Sequence, residues 1–296
     1  MLVIIGLYLI SLWRSEIPPS IDTPAHLALV ANMQHLGEAS HVFDQTYEWG
    51  YYPAPNSFFY LLAYSLGLFF SLLRVHYIMI SLYMVGLPLA FYYYLRAHGR
   101  NSRFSLAIFP LLVTFPVIYG FLDYCFGVAL SIFMLGYIKT YLKEPSTKMG
   151  IAVAVLGFLL YLTHVHAFLF YGVGVSILLV LRFFDGQKKG PGTGLLKPLV
   201  RDGAVASLPG IVPFVIWRLS AIQDIETGTR YMIWEDLLTK IGKFSEQTLL
   251  VLDGVADEFY ALFFSIGALS SAVLILLKAL KNPNNQKDSE TISFGS

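Results

Sequence analysis

The chain alternates long apolar runs with short polar interruptions. Apolar segments fall near 1–13, 57–73, 76–95, 104–120, 124–142, 149–164, 167–183, 203–219 and 259–277. Most are about 15 to 22 residues long, close to what an α-helix needs to cross the hydrocarbon of a bilayer. None alternates apolar and polar residues with a period of two, as the strands of a membrane barrel must. Backbone groups cannot be left unpaired in lipid, so such runs predict helices. Two polar stretches are long, roughly 14–56 and 220–258. In the first, Thr23-Pro24 opens a helix predicted to reach Leu36, with Thr23 as N-cap and Pro24 at the first helical position. In the second, Tyr231, Ile233, Trp234, Leu237, Leu238, Ile241 and Phe244 predict an amphipathic helix lying at an interface.

Composition agrees with this pattern. Charged residues are 13% of the chain, about half of what soluble domains carry. The single cysteine, Cys125, excludes an intrachain disulfide and a cysteine-rich metal site. A net charge of +1 gives no basis for binding nucleic acid. The expected architecture is all-α: a polytopic transmembrane bundle of about eight spans, with interfacial helices in the first outer loop. Residues 1–281 form one transmembrane domain, and 282–296, rich in Asn, Ser and Lys, a disordered cytoplasmic tail.

Sidedness depends on segment 57–73. If it crosses, every later loop changes side. Lys and Arg favour the cytoplasm. Leaving 57–73 as a non-crossing helix gathers Arg96, Arg100, Arg103, Lys139, Lys143, Lys148, Arg182, Lys188, Lys189, Lys197, Arg201, Lys278, Lys281 and Lys287 on the cytoplasmic side. Both termini are then cytoplasmic, and the protein belongs to the cell membrane. Asp22, Asp123, His164, His166 and the 220–258 loop fall together on the outer face.

Those residues carry the candidate chemistry. Asp22 and His26 stand one helical turn apart. Asp22 suits a general base and His26 a phosphate contact or ligand; the plainer reading is an acid favoured by a helix dipole beside a solvated histidine. Asp123 sits between two apolar runs, where an ionisable group needs a partner or a purpose. His164 and His166 occupy an outer turn; as i and i+2 they reach one metal only if the helix breaks there. Phosphate binding by these imidazoles, a metal pair completed by Asp123, and simple capping of helix ends all remain open. Arg230 offers a planar fork for phosphate. Tyr47, Trp49, Tyr51 and Tyr52 could stack on a sugar or join an aromatic belt. Gly190 to Gly194 lacks the Lys-Ser/Thr of a phosphate loop and reads as a linker.

The order of these features resembles the GT-C superfamily of polytopic glycosyltransferases. An acid follows the first span in a long outer loop, here Asp22. A Tyr-Pro-Pro-like element, Tyr52-Pro53-Ala54-Pro55, leads into a partly embedded helix, Phe58 to Leu73. A short basic inner loop follows, Arg96 to Arg103, and a second acid ends Gly120-Phe121-Leu122-Asp123 at the outer end of the next helix. The resemblance covers roughly residues 1–185, by pattern rather than signature. It implies transfer of a sugar from a polyprenyl-phosphate donor to a lipid, glycan or protein acceptor at the extracytoplasmic face. Asp22 and Asp123 would be catalytic, and His26, His164, His166, Arg230 and Tyr52 would bind substrate. A divalent metal on Asp123, His164 and His166 is left open, as is a partner subunit. The chain departs from the superfamily in being short and in following Asp22 with Thr-Pro-Ala-His rather than a second acid. The alternatives are a transporter or flippase-like protein, an intramembrane metalloenzyme, and a non-catalytic or truncated homologue of the same superfamily.

Overall fold

The computed structural model describes residues 1–16, 20–38, 43–45, 47, 54–187 and 196–223, all within the compact unit Met1–Met232. Among the described residues the chain is helical and no strand occurs. In order, the α-helices are α1 (Leu2–Arg14), α2 (Thr23–His35), α3 (Ser57–Gly67), α4 (Leu72–Ala97), α5 (Phe115–Tyr119), α6 (Leu122–Lys143), α7 (Thr147–Thr163), α8 (Val165–Gln187) and α9 (Leu196–Gln223). Four are long and apolar enough to cross a membrane: Leu72–Ala97, Leu122–Lys143, Val165–Phe184 and Leu196–Ser220. The expected interfacial helix in 220–258, the segment 259–277 and the tail after Lys281 lie outside the described residues.

Three expectations are refined. The helix of the first polar loop begins at Thr23, so Asp22 is its N-cap and Pro24 falls at its second position. Segment 57–73 breaks earlier than predicted, at 68–71. The eleven residues of α3 rise about 16 Å, roughly half the hydrocarbon thickness. Finally, 104–120 is not one α-helix. It is a 3₁₀ helix, Ser102–Leu112, followed by the single α-turns of α5. Pro110 and Pro116 lie in these two pieces. Each lacks an N–H to donate, which weakens an α ladder at that point, although α4 and α9 carry Pro88, Pro209 and Pro213 without breaking.

Side-chain contacts set the directions of the helices. Tyr83 of α4 lies near Cys125 of α6, and farther along Tyr93 meets Thr140 at 3.4 Å. A Cβ on Gly136 would stand 3.0 Å from Tyr94 Cα, so α4 and α6 pack closely and run parallel. Small residues allow such an approach between apolar helices, where packing rather than water exclusion supplies the attraction. Because α4 and α6 are parallel, the chain must travel back along the bundle between them. A 3₁₀ helix rises about 2.0 Å per residue, so Ser102–Leu112 covers about 22 Å and α5 about 7 Å more. Tyr8 and Tyr83 hold this return segment by donating to the carbonyls of Phe109 and Leu111, at 3.2 Å each.

α1 runs antiparallel to α4. The Met1 sulfur accepts from Ser105, the Trp13 indole N–H donates to Ser81 at 3.0 Å, and Tyr77 donates to the Ser15 carbonyl at 2.7 Å. α3 therefore lies at the end where α1 finishes and α4 starts. The remaining helices continue the alternation. Ser131 of α6 donates to the Ala167 carbonyl of α8 at 3.0 Å, and Tyr161 of α7 donates to the Pro213 carbonyl of α9 at 3.2 Å. One end of the bundle thus carries residues 20–26, 54–60, 72–76, 119–124 and 163–166. The other carries Arg96, Arg100, Arg103, Lys143, Lys148, Arg182, Lys197 and Arg201.

Candidate functional site

The site is built around the turn between α5 and α6. Gly120 has φ +102°, a left-handed conformation that β-carbon-bearing residues disfavour. That turn docks against the start of α2. Ile21 N–H donates to the Ile118 carbonyl (2.8 Å) and Asp22 N–H to the Tyr119 carbonyl (2.9 Å). A Cβ at position 120 would stand 2.7 Å from Ser20 Oγ and 3.2 Å from Asp22 Cβ. Asp22 and Asp123, a hundred residues apart in sequence, are therefore set at the same end of the bundle, on either side of this turn. The Asp22 carboxylate makes no capping bond to its own helix. Thr23 beside it points inward, its hydroxyl 2.9 Å from Nε2 of the fully buried His76, which pins the first turn of α2.

His26 projects one turn after Asp22, and its backbone N–H donates to the Asp22 carbonyl at 3.1 Å. Its Nδ1 is 2.7 Å from the Tyr60 hydroxyl of α3, and Phe59 meets the imidazole edge-on at 5.5 Å. Burial, with a contribution from the charge of Asp123, pushes the Tyr60 phenol up to about 12, so it stays protonated at any physiological pH. Whether Tyr60 donates to Nδ1 or accepts from it, the ring is held in place.

Asp123 lies in the first turn of α6, where the helix dipole favours a carboxylate. It faces the imidazoles of His164 and His26. Asn56, in left-handed conformation at the N-cap of α3 (φ 64°), reaches the same place. With its amide nitrogen turned toward the two acceptors, it donates to Asp123 Oδ2 at 3.2 Å and to the Thr163 carbonyl at 3.3 Å.

His164 ends α7 in extended conformation, and α8 starts at the next residue. The helix thus breaks at the His-x-His step. His164 Nδ1 accepts the backbone N–H of His166 at 3.2 Å, which places the proton of the neutral ring on Nε2, free to donate to an anion. Tyr124 lies edge-on to this imidazole at 5.2 Å. Gly127 permits the close packing, since a Cβ there would come within 2.7 Å of Ala167 Cβ and 3.3 Å of His164 Cβ. Burial holds the His164 pKa below the usual histidine value, against the opposing pull of Asp123, with His166 adding to the depression. His166 is exposed, its ring 5.1 Å from that of His164.

The depressed pKa gives a testable sign. His164 binds its proton more weakly folded than unfolded, so its share of stability is fully present above about pH 6.5. That share falls as pH drops toward the folded pKa. Between pH 7.5 and 5, detergent-solubilised wild type should lose more thermal stability than His164→Gln. Parallel melting curves across that range would remove the argument.

Asp22, His26, Asp123 and His164 are thus brought together. Tyr52, Tyr51, Trp49 and Arg230 lie outside the described residues, as does the 220–258 loop. Tyr47 is exposed. Among the described residues, no three His, Cys, Asp or Glu side chains are placed to hold a metal ion. Asn56, Tyr60, Tyr124 and His76 were not singled out by the sequence reading. The available signal was the amide at Asn56, a polar side chain on the threshold of an apolar helix. Helices α2, α4, α6 and α8 all begin at this end, and their N-terminal dipoles together favour a bound anion. No protein-family model matches the chain, and neither a curated protein nor a solved structure does.

Proposed function

We propose that the chain is an integral-membrane glycosyltransferase of the GT-C type, moving a sugar from a polyprenyl-phosphate donor to an acceptor hydroxyl at the extracytoplasmic face. The observation that carries this reading is the gathering of Asp22, His26, Asp123 and His164 at one end of a helix bundle whose opposite end holds most of the described Lys and Arg residues. The asymmetry of Lys and Arg assigns the basic end to the cytoplasm. The four helices long and apolar enough to cross are α4, α6, α8 and α9, and in this reading the shorter α1, 102–119 and α7 cross with them. In the same reading α3 stays at the outer boundary.

In this reaction the acceptor oxygen attacks C1 of the sugar and the C1–O bond to phosphate breaks. The electron pair leaves with the polyprenyl phosphate. Asp22 takes the proton of the attacking hydroxyl. The leaving phosphate is stabilised by the Nε2–H of His164 and by the helix N-termini at this end of the bundle. Asp123 positions the acceptor, held by Asn56 and set between His164 and His26. Tyr60 fixes the His26 ring.

The test uses the purified protein in phospholipid vesicles. A panel of radiolabelled polyprenyl-phosphate hexoses and pentoses is supplied, with a membrane extract as acceptor source. Release of free polyprenyl phosphate with label passing to the acceptor fraction is the expected result. No release from any donor, with protein shown to be folded and inserted, overturns the proposal.

A further inference from the structure

The end opposite Asp22 and Asp123 has a constructed feature of its own. Asp202 of α9 is fully buried, and two guanidinium groups converge on it. Arg182 Nη1 lies 2.6 Å from Oδ2 and Arg201 Nη2 lies 2.8 Å from Oδ1. Tyr141 of α6 also donates to Oδ1, at 3.0 Å. One carboxylate against two guanidinium groups leaves one positive charge over. Arg201 is the exposed member, with 57% of its side chain open to the surroundings. It spends Nε–H and one Nη2–H on Asp202 and has Tyr141 as a further neighbour, which leaves part of its five-donor fork for a bound anion.

Beside Arg201, helices α6, α7 and α9 leave a groove of about 460 Å³. Its lining changes character with depth. Ser146, Thr147 and Arg201 form the polar mouth at the end of the bundle, and Ile151, Ala154 and Val205 form an apolar wall farther in. From Ser146 to Ala154 the helix rises about 12 Å, the span from a phosphate to the first part of an acyl chain. Ser146 caps α7 by accepting the Met149 N–H at 3.3 Å, which leaves the positive end of that helix at the mouth. Exposed Lys143 and Lys148 flank it, and exposed Glu144 does not reverse the sign.

We propose that this groove holds a phospholipid with an anionic headgroup in the leaflet opposite the candidate active site. Its phosphate pairs with Arg201, and an acyl chain lies along Ile151, Ala154 and Val205. A polar-to-apolar gradient with surplus positive charge matches an amphiphilic anion, and basic pockets between spanning helices are a recurring way to bind one. The site rests on the membrane reading but not on sugar transfer. Its readout is lipid retention, so either proposal can fail without the other.

The experiment is native mass spectrometry of the detergent-purified protein titrated with phosphatidylglycerol or phosphatidylcholine of matched chains. Wild type should retain phosphatidylglycerol with roughly tenfold preference. Arg201→Ala leaves Arg182 on Asp202 and should abolish the preference, and Arg201→Lys should recover part of it. Ala154→Trp fills the groove without touching the charged network and should lower retention of the anionic lipid. If Arg201→Ala elutes as an aggregate, Ala154→Trp and Lys148→Glu decide the matter. Equal retention of the two lipids, or wild-type behaviour in the soluble variants, overturns the proposal. So does displacement of phosphatidylglycerol by an equal concentration of glycerol phosphate, which would assign the site to a free phosphate.

Discussion

Asp22→Ala and Asp123→Ala are each expected to remove transfer from a polyprenyl-phosphate donor while leaving the yield of membrane-inserted protein unchanged. The two losses have different origins. Asp22 stands at the N-cap of α2 without capping it, so its removal costs the helix little. What disappears is the acceptor for the proton of the attacking hydroxyl, worth about 10² to 10⁴ in rate. Asp123 is embedded among other side chains. Its loss deprives Asn56 of one of its two acceptors, though the Thr163 carbonyl remains. It also removes the negative charge that His26 and His164 face.

The isosteric variants separate charge from shape. Asp22→Asn should be as inactive as Asp22→Ala, because an amide cannot take the proton. Asp123→Asn keeps an oxygen for Asn56, so it should melt like wild type yet still transfer poorly. Initial rates of polyprenyl-phosphate release, measured beside the monodisperse fraction of each variant, check both statements. Near-normal transfer by Asp22→Ala and Asp123→Ala together would sink the mechanism, wherever the residues lie.

The co-location of these acids was partly legible in the chain. Apolar runs of helical length and the clustering of Lys and Arg between alternate pairs of them suffice to set Asp22 and Asp123 at one end. Four of the runs appear as long helices at nearly the predicted places. Other features could not be read. Hydropathy cannot distinguish a 3₁₀ ladder from an α ladder, and proline does not decide it either, since Pro88, Pro209 and Pro213 lie inside the α-helices α4 and α9; 104–120 therefore looked like an ordinary span. Positions 74 and 75 fall between the apolar segments 57–73 and 76–95, yet Arg74 lies in the first turn of α4, and the real break comes at 68–71. The partnership of Asn56 with Asp123 joins residues far apart in the chain. No local pattern encodes it, because it arises only when α3 folds back against the α6 and α7 ends.

The second large effect concerns Gly120, which has no chemistry of its own. Gly120→Val is expected to abolish transfer while the bundle stays folded, through two separate costs. A β-branched residue at φ +102° pays roughly 1–3 kcal/mol in backbone strain. Its Cβ would also need the place now held by Ser20 Oγ, at 2.7 Å, and would crowd Asp22 Cβ and N at 3.2 and 3.3 Å. The segment before α2 is then pushed outward by a few tenths of an ångström or more, which loosens the bonds from Ile21 and Asp22 to the Ile118 and Tyr119 carbonyls. Each is worth about 0.5–1.5 kcal/mol net. The long helices meet one another elsewhere, so the damage is local and Asp22 is carried away from Asp123. Gly99→Val is the matched control. Gly99 is also left-handed, at φ +64°, but a Cβ there would meet nothing within 4 Å, and it lies at the basic end beyond α4. It should show the strain as a lowered melting temperature and transfer sugar normally. Equal activity in the two variants would mean that the turn before α6 does not place Asp22. A folded Gly120→Val with normal turnover would leave the docking of 20–22 on this turn without consequence for catalysis.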